Sequence, residues 1–478
     1  MLTTIISMGF YNYKNSIIMR KTFLNLSFLI FATAALAQSG HIMQGVGAFN
    51  MSMGGASTAQ PLDISGALQW NPASISTFEG RILKFDIGLF SGSPKLYSTF
   101  GPLTGSAEDD KGLSPMPAIA YVWGNPASKH TFGVSAFGIS GFGVDFAEDL
   151  NYPQDLLGNP NPDFNPNETT NPINFPQFAG GFGNLASDYM LLQIGFTWAY
   201  ELSDKFSIGV EPTINYGALE IGPNPLARPD FTGKGYPISD KAGSIGFGAQ
   251  IGMFYDSQNG FKIGASYKTQ QYFGDMKFDS KYLDGSEAPE VKFTMNYPAV
   301  YSIGIGYSKT KFDLALDYRY VDYENTDGFE KSGWEIGDNG FPTGAVNGFG
   351  WKSISVISAG IQYKGIEKLP LRVGYTYSSN PINEDENLTF FSMPATAIIA
   401  HAFQFGFSYP INDNFNLDAV YHHGISDGKT EGTMLNPTPD VMGGPWNADA
   451  NPLGAFPSSV SYDMTTDLVM VGIGYTFN

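Results

Sequence analysis

The sequence predicts an all-β protein: a transmembrane antiparallel β-barrel of about fourteen strands with an N-terminal hatch, or plug, in its lumen. Three observations predict it. Segments of about ten residues alternate apolar and polar side chains, their number is even with alternately short and long connections, and no long apolar run follows residue 38. Period two puts one set of side chains on each face of a strand. A spanning helix needs about 18 or more consecutive apolar residues, so a membrane location for the mature chain requires strands.

Composition points the same way. The 478 residues include 57 glycines, 30 prolines and no cysteine, with aromatic and charged residues at 15% each. Ordinary globular proteins carry about 25% charged residues. Without cysteine there is no disulfide, thiolate nucleophile or Cys-ligated metal. The excess of 45 Asp+Glu over 26 Lys+Arg opposes nucleic-acid binding, which draws on basic patches. Acidic stretches such as Glu108-Asp109-Asp110 read as solvated loop. Neither a metal nor a cofactor is expected.

Taken in order, the chain opens on a targeting signal. Met19-Arg20-Lys21 is a basic start, residues 23–36 are largely apolar, and Ala35-Leu36-Ala37 fits a signal-peptidase site. Residues 1–37 are therefore expected to be removed, with Met19 an alternative start. Residues 38–80 are rich in Gly, Ala and Ser, lack alternation, and are expected to fill the lumen. Residues 81–478 are expected to form the barrel.

Fourteen alternating segments lie near 81–91, 116–125, 130–141, 189–201, 205–218, 243–256, 260–273, 295–308, 311–324, 352–363, 370–379, 401–410, 414–424 and 466–478. The clearest sets Phe312, Leu314, Leu316, Tyr318 and Tyr320 against Lys311, Asp313, Ala315, Asp317 and Arg319. One face suits lipid and the other a polar lumen. Six connections are short and seven long, the longest being 142–188, 325–350 and 425–465, which puts both termini at the periplasmic end. Trp198, Tyr200 and Phe206, and the pairs Tyr255–Phe261, Tyr307–Phe312 and Tyr409–Phe415, flank the short turns as an interfacial girdle. The segment at 130–141 shifts its apolar set from Phe132, Val134 and Ala136 to Phe137 and Ile139 near Gly138, Gly141 and Gly143. Such a shift beside glycine suggests a bulge or kink, although 352–363 shifts phase as well.

The pre-barrel stretch contains Gly54-Gly55-Ala56, Asp63 and Trp70-Asn71-Pro72-Ala73. In these residues the chain resembles the FadL/TodX family of outer-membrane transporters for fatty acids and hydrocarbons. The resemblance implies a hatch containing the Asn-Pro-Ala tripeptide, a kinked third strand that opens the wall, and passive uptake of a hydrophobic small molecule. It also implies a Gram-negative outer-membrane location among lipids and lipopolysaccharide. A terminal strand with Tyr475 and Phe477 resembles the signal read by the barrel-assembly machinery, with Asn478 as a departure. Asn125-Pro126-Ala127 repeats the tripeptide in a short turn, where turn chemistry alone accounts for it. A general porin and a structural or surface-binding barrel are the alternatives. Gly424-Ile425-Ser426-Asp427-Gly428 matches a nucleophile elbow, but no helical pattern follows it, so no enzyme is expected.

Overall fold

The computed structural model describes residues 40–477 except 231, 331–332, 385–388 and 435–457. The expected signal peptide, Asn478 and much of the last long loop lie outside the described residues.

Fourteen strands follow one another around the wall. They are β1 (Gly80–Phe100), β2 (Leu113–Gly124), β3 (His130–Phe146), β4 (Leu185–Ser203), β5 (Phe206–Gly222), β6 (Ala242–Asp256) and β7 (Phe261–Lys268). Then come β8 (Ala299–Ser308), β9 (Phe312–Asp322), β10 (Ile354–Tyr363), β11 (Leu371–Ser378), β12 (Ile399–Pro410), β13 (Phe415–Ser426) and β14 (Ser458–Phe477). Each pairs antiparallel with the next. β14 returns to β1, with Phe477 opposite Arg81 and Ser458 opposite Phe100, so the ring is closed. Closure satisfies the backbone without a free edge, the condition lipid imposes.

Alternation sets the two faces. On β9, Phe312, Leu314, Leu316 and Tyr318 point outward, while Asp313, Asp317 and Arg319 are buried inside. Lys311 is exposed in the periplasmic turn rather than in the lumen. On β14 the outward apolar set runs Val469, Val471, Ile473 and Phe477, and Asp467 lies above it. Rings stack at the periplasmic end: Trp123 on Phe132 at 5.6 Å, His130 on Trp198 at 6.0 Å and Phe415 against Tyr475 at 4.6 Å.

Two departures from the sequence reading have local causes. The segment expected at 260–273 ends at Lys268, and the chain then folds inward so that Gln271 lies over Gly248 and Phe273 over Gly246. Side chains at those two β6 positions would occupy the same space. The phase change within 352–363 involves no register shift: Ile354 and Val356 face in, and Ile357 and Ile361 face out.

Candidate functional site

Residues 40–79 pack inside the barrel. Helix α1 (Ala48–Ser52) leads through two glycines to α2 (Ile64–Trp70), and a 3₁₀ turn (Pro72–Thr77) leads to β1. Asp63 caps α2 by accepting from the Gly66 amide, the usual role of Asp at a helix start. Gly54 and Gly55 both have left-handed backbones, at φ 68° and 75°, and a Cβ on Gly55 would lie 1.8 Å from the Gln44 carbonyl oxygen. Only glycine fits there.

Buried charges fix this plug to the wall. Lys84 on β1 lies 3.0 Å from Asp63 in the plug and 2.9 Å from Asp418 on β13. Asp86 accepts from the Ala48 amide at 2.8 Å. Asp317 accepts from the Ser57 and Thr58 amides at 2.8 and 2.9 Å and pairs with Arg319 at 3.0 Å. Arg319 also donates to the Gly55 carbonyl and stacks on Trp70, 3.6 Å from the ring centroid. The same guanidinium thus joins the Gly-Gly-Ala and Trp-Asn-Pro-Ala motifs. Arg372 covers Phe49 at 3.8 Å and donates to Ser52. Much of the lumen's charge is thus held by the plug, while Glu211, Lys268 and Asp313 pair with other barrel side chains.

The two Asn-Pro-Ala copies separate local from tertiary chemistry. In each, the Asn side-chain oxygen accepts from the Ala amide two residues on, at 3.1 Å for Asn71 and 2.9 Å for Asn125. Asn125 stays in an exposed turn. Asn71 is fully buried, and its amide group donates to the Thr58 carbonyl at 2.7 Å and the Met253 carbonyl of β6 at 3.0 Å. Wall glycines make the seats: Gly252 beneath Asn71, Gly209 beneath Pro72 and Ala73, and Gly374 beneath Gly54. Ala56 packs with Met53 against Ala315 of β9.

β2 and β3 pair only from Gly124–Thr131 up to Ala118–Phe137. Above that point β2 keeps its ladder with β1, and β3 keeps its ladder with β4. Pro115 and Pro117 lie in the unpaired part of β2. Because the β1 ladder passes both prolines unbroken, their missing N–H groups fall on the side facing β3. The β3–β4 register shifts between Gly138 and Ser140, leaving Ile139 unpaired with β4. The wall rejoins where Asp110 donates to the Asp145 carbonyl at 3.0 Å and Asp109 bridges Phe146.

The plug's first residues occupy the edge of β3 left free by this break. Met43 donates to the Ile139 carbonyl at 3.0 Å. Gly141 donates its amide to the His41 carbonyl at 3.1 Å, and Ser140 adds its hydroxyl at 2.8 Å. The His41 ring lies among Phe142, Tyr189, Tyr297, Tyr323, Phe329 and Trp351. The sequence offered no pattern for this cage, because its members come from well-separated places along the chain.

An apolar column rises from the cage to the outer surface. Phe329 stacks on Phe349 at 5.7 Å, and Trp351 donates to Ser392 at 3.1 Å. Above them four long loops meet around a small apolar hollow of about 30 Å³, lined by Phe182, Tyr236, Trp334, Val346, Phe390, Phe391 and Met393. In the long connection 142–188, Phe146 and Phe175 are buried and Phe182 packs against this cluster, whereas Phe178 is exposed. The elbow-like Ser426 ends β13, and its oxygen accepts from the Met464 amide at 3.2 Å.

A closed fourteen-strand barrel with a folded plug, an apolar mouth and a broken strand pair defines a plugged outer-membrane transport barrel. The chain belongs to the outer membrane protein transport protein family (OMPP1/FadL/TodX), whose model matches residues 170–436. The toluene transporter TodX of Pseudomonas putida shares 16% identity over 91% of this chain and 99% of its own, with a TM-score of 0.60. A FadL homologue of Pseudomonas aeruginosa shares 12% over 92% and 100%, at 0.64. The toluene transporter TbuX of Ralstonia pickettii shares 16% over 91% and 99%, at 0.57. At these identities the likeness is one of fold. No curated protein matches the sequence.

Proposed function

We propose that the barrel carries small, uncharged hydrophobic molecules from the outer surface into the plane of the outer membrane. The loop hollow captures the molecule, the apolar column conducts it inward, and the break between β2 and β3 releases it sideways. The break carries the reading: prolines that keep two wall strands apart, with a plug segment and not a wall strand across the opening, are what lateral release requires. A straight route into the periplasm would pass the buried charges of Lys84, Asp63 and Asp418, which line the groove on that side together with apolar residues such as Phe49, Ile82 and Phe415. TodX and TbuX are described as toluene transporters, which agrees with an uncharged cargo. A fatty-acid carboxylate is less well served, since Arg319 and Arg372 already face Asp317 and Asp418. We place Gly54, Gly55, Ala56, Trp70, Asn71, Pro72 and Ala73 as the fixed part of the hatch, and His41–Met43, against Gly138 and Gly141, as its moving part. We also assign Tyr475 and Phe477 to contact with the assembly machinery, and the outer strand faces to lipid and lipopolysaccharide.

The chain has no cysteine, so a single engineered pair gives a clean test. Ile42 and Ser140 face each other across a bridge, and antiparallel pairs lie about 4.5–5.5 Å apart at Cα, within disulfide reach. Ile42→Cys/Ser140→Cys should take up toluene when reduced and stop when oxidised. Equal uptake in both states refutes release through this opening.

A further inference from the structure

We infer that the aromatic cage around His41 is a binding site for a planar ring bearing one hydroxyl, and that the His41 imidazole occupies it as a built-in stand-in. The inference rests on the uptake reading above and names the class of molecule which that route accepts.

Six rings surround the imidazole with centroids 4.9 to 6.4 Å away. Rings in tilted and edge-on contact at such distances hold another flat ring well. A site for a plain hydrocarbon needs nothing more, yet three of the six rings are tyrosines. Tyr323 Oη lies 2.7 Å from His41 Nδ1. Tyr189 Oη, Tyr297 Oη and His41 Nε2 are buried and find no hydrogen-bond partner among the described residues. Buried polar groups nearly always have partners, so an unpaired group in a folded protein asks for an explanation. Several at one end of an apolar column form a polar pole that a ligand can answer.

The chemistry of that pole selects the ligand. A ring in place of the imidazole would set one oxygen against Tyr323 Oη, where Nδ1 now sits, with the Tyr189 and Tyr297 rings packed around it. The buried guanidinium of Arg319 is already paired with Asp317 at 3.0 Å. A carboxylate would therefore be buried without net compensation, which is costly. A plain hydrocarbon would leave the hydroxyls unanswered, and sites built to bond a hydroxyl discriminate against analogues lacking it. A neutral hydroxylated ring meets both conditions. Its arrival displaces His41, the residue whose carbonyl holds Ser140 and Gly141, so occupation of the cage is tied to release of the arm.

Equilibrium binding to the purified full chain in detergent tests this with three probes that share one ring and methyl group: toluene, p-cresol and p-toluate. The wild type should bind p-cresol about tenfold more tightly than toluene, roughly the value of one net hydrogen bond. Tyr323→Phe and the double variant Tyr189→Phe/Tyr297→Phe keep every ring, and should lower that preference toward unity while leaving toluene affinity unchanged. Heat-modifiable gel migration establishes that each barrel is folded. Equal binding of toluene and p-cresol by the wild type, a preference that survives loss of the hydroxyls, or tightest binding of p-toluate overturns the inference. Toluene binding without preference leaves the uptake reading standing, whereas absence of binding by all three probes removes both.

Discussion

Asn71→Ala isolates the joint between the plug and the wall. The substitution removes two donations, to the Thr58 carbonyl at 2.7 Å and the Met253 carbonyl at 3.0 Å, and one acceptance from the Ala73 amide at 3.1 Å. Asn71 is fully buried, so water does not readily replace these bonds. At about 1 kcal/mol for each net hydrogen bond, the plug loses roughly 3 kcal/mol of stability, about 1 kcal/mol of it at the wall and the rest within the plug. The barrel ladders do not include this side chain and should keep theirs. A loss of that size corresponds to about a hundredfold less protection of plug amides. Hydrogen exchange at Ala67 and Ser74 in detergent reads it directly, with amides of β9 and β10 as internal controls. Conductance in planar bilayers should rise as the plug loosens, and uptake should fall in cells with equal amounts of folded barrel. If plug protection, conductance and uptake all match the wild type, Asn71 is a turn residue like Asn125 and the joint has been misassigned.

Three further outcomes are expected. Lys84→Met leaves Asp63 and Asp418 buried without their shared cation; breaking a buried pair costs about 3–5 kcal/mol, which should appear as early plug exposure in denaturant titrations monitored by proteolysis. Pro115→Val/Pro117→Val restores two donors facing β3, so β2 and β3 should pair further up the wall; uptake should drop while thermal stability holds or rises, and unchanged uptake counts against this opening. Burial pushes the His41 pKa down from 6.5 to about 3. The native state therefore binds fewer protons, so arm docking is at full strength above pH 6.5 and weakens as pH falls toward 3. At pH 5 the loss is about 2 kcal/mol, so exchange of the Gly141 amide should quicken relative to control amides, and His41→Phe should abolish that excess. The titratable groups facing His41 are the hydroxyls of Tyr189, Tyr297 and Tyr323, which stay protonated throughout this range.

The barrel was legible because lipid imposes a simple rule, apolar at every second position, which β9 and β14 obey almost without exception. Strand ends above the lipid were less so: the first strand was expected over 81–91, yet β1 continues to Phe100 through a Ser- and Thr-containing stretch that no longer alternates. The wall opening was sought within the third strand, at Gly138 and Gly141. Half of its cause sits in the neighbouring strand, at Pro115 and Pro117, and pairing between strands cannot be read from either alone. Gly209, Gly252 and Gly374 are seats for the plug, which the wall strands alone do not announce. Their role depends on residues more than a hundred positions earlier. His41 is one of five histidines and opens a stretch of small residues, a weak signal until its ring companions converge on it from Phe142 to Trp351.

The joint between β1 and β14 ties the wall to its contents. Asp86 on β1 stands opposite Gly472 on β14, and its carboxylate fills the space a side chain there would take while holding the Ala48 amide. Lys84, two residues away, grips Asp63 of the plug and Asp418 of the strand on the far side of β14. The plug is thus stitched to both flanks of the joint that closes the ring. Wall closure and plug seating draw on the same side chains, so a residue larger than glycine at position 472 would disturb both at once.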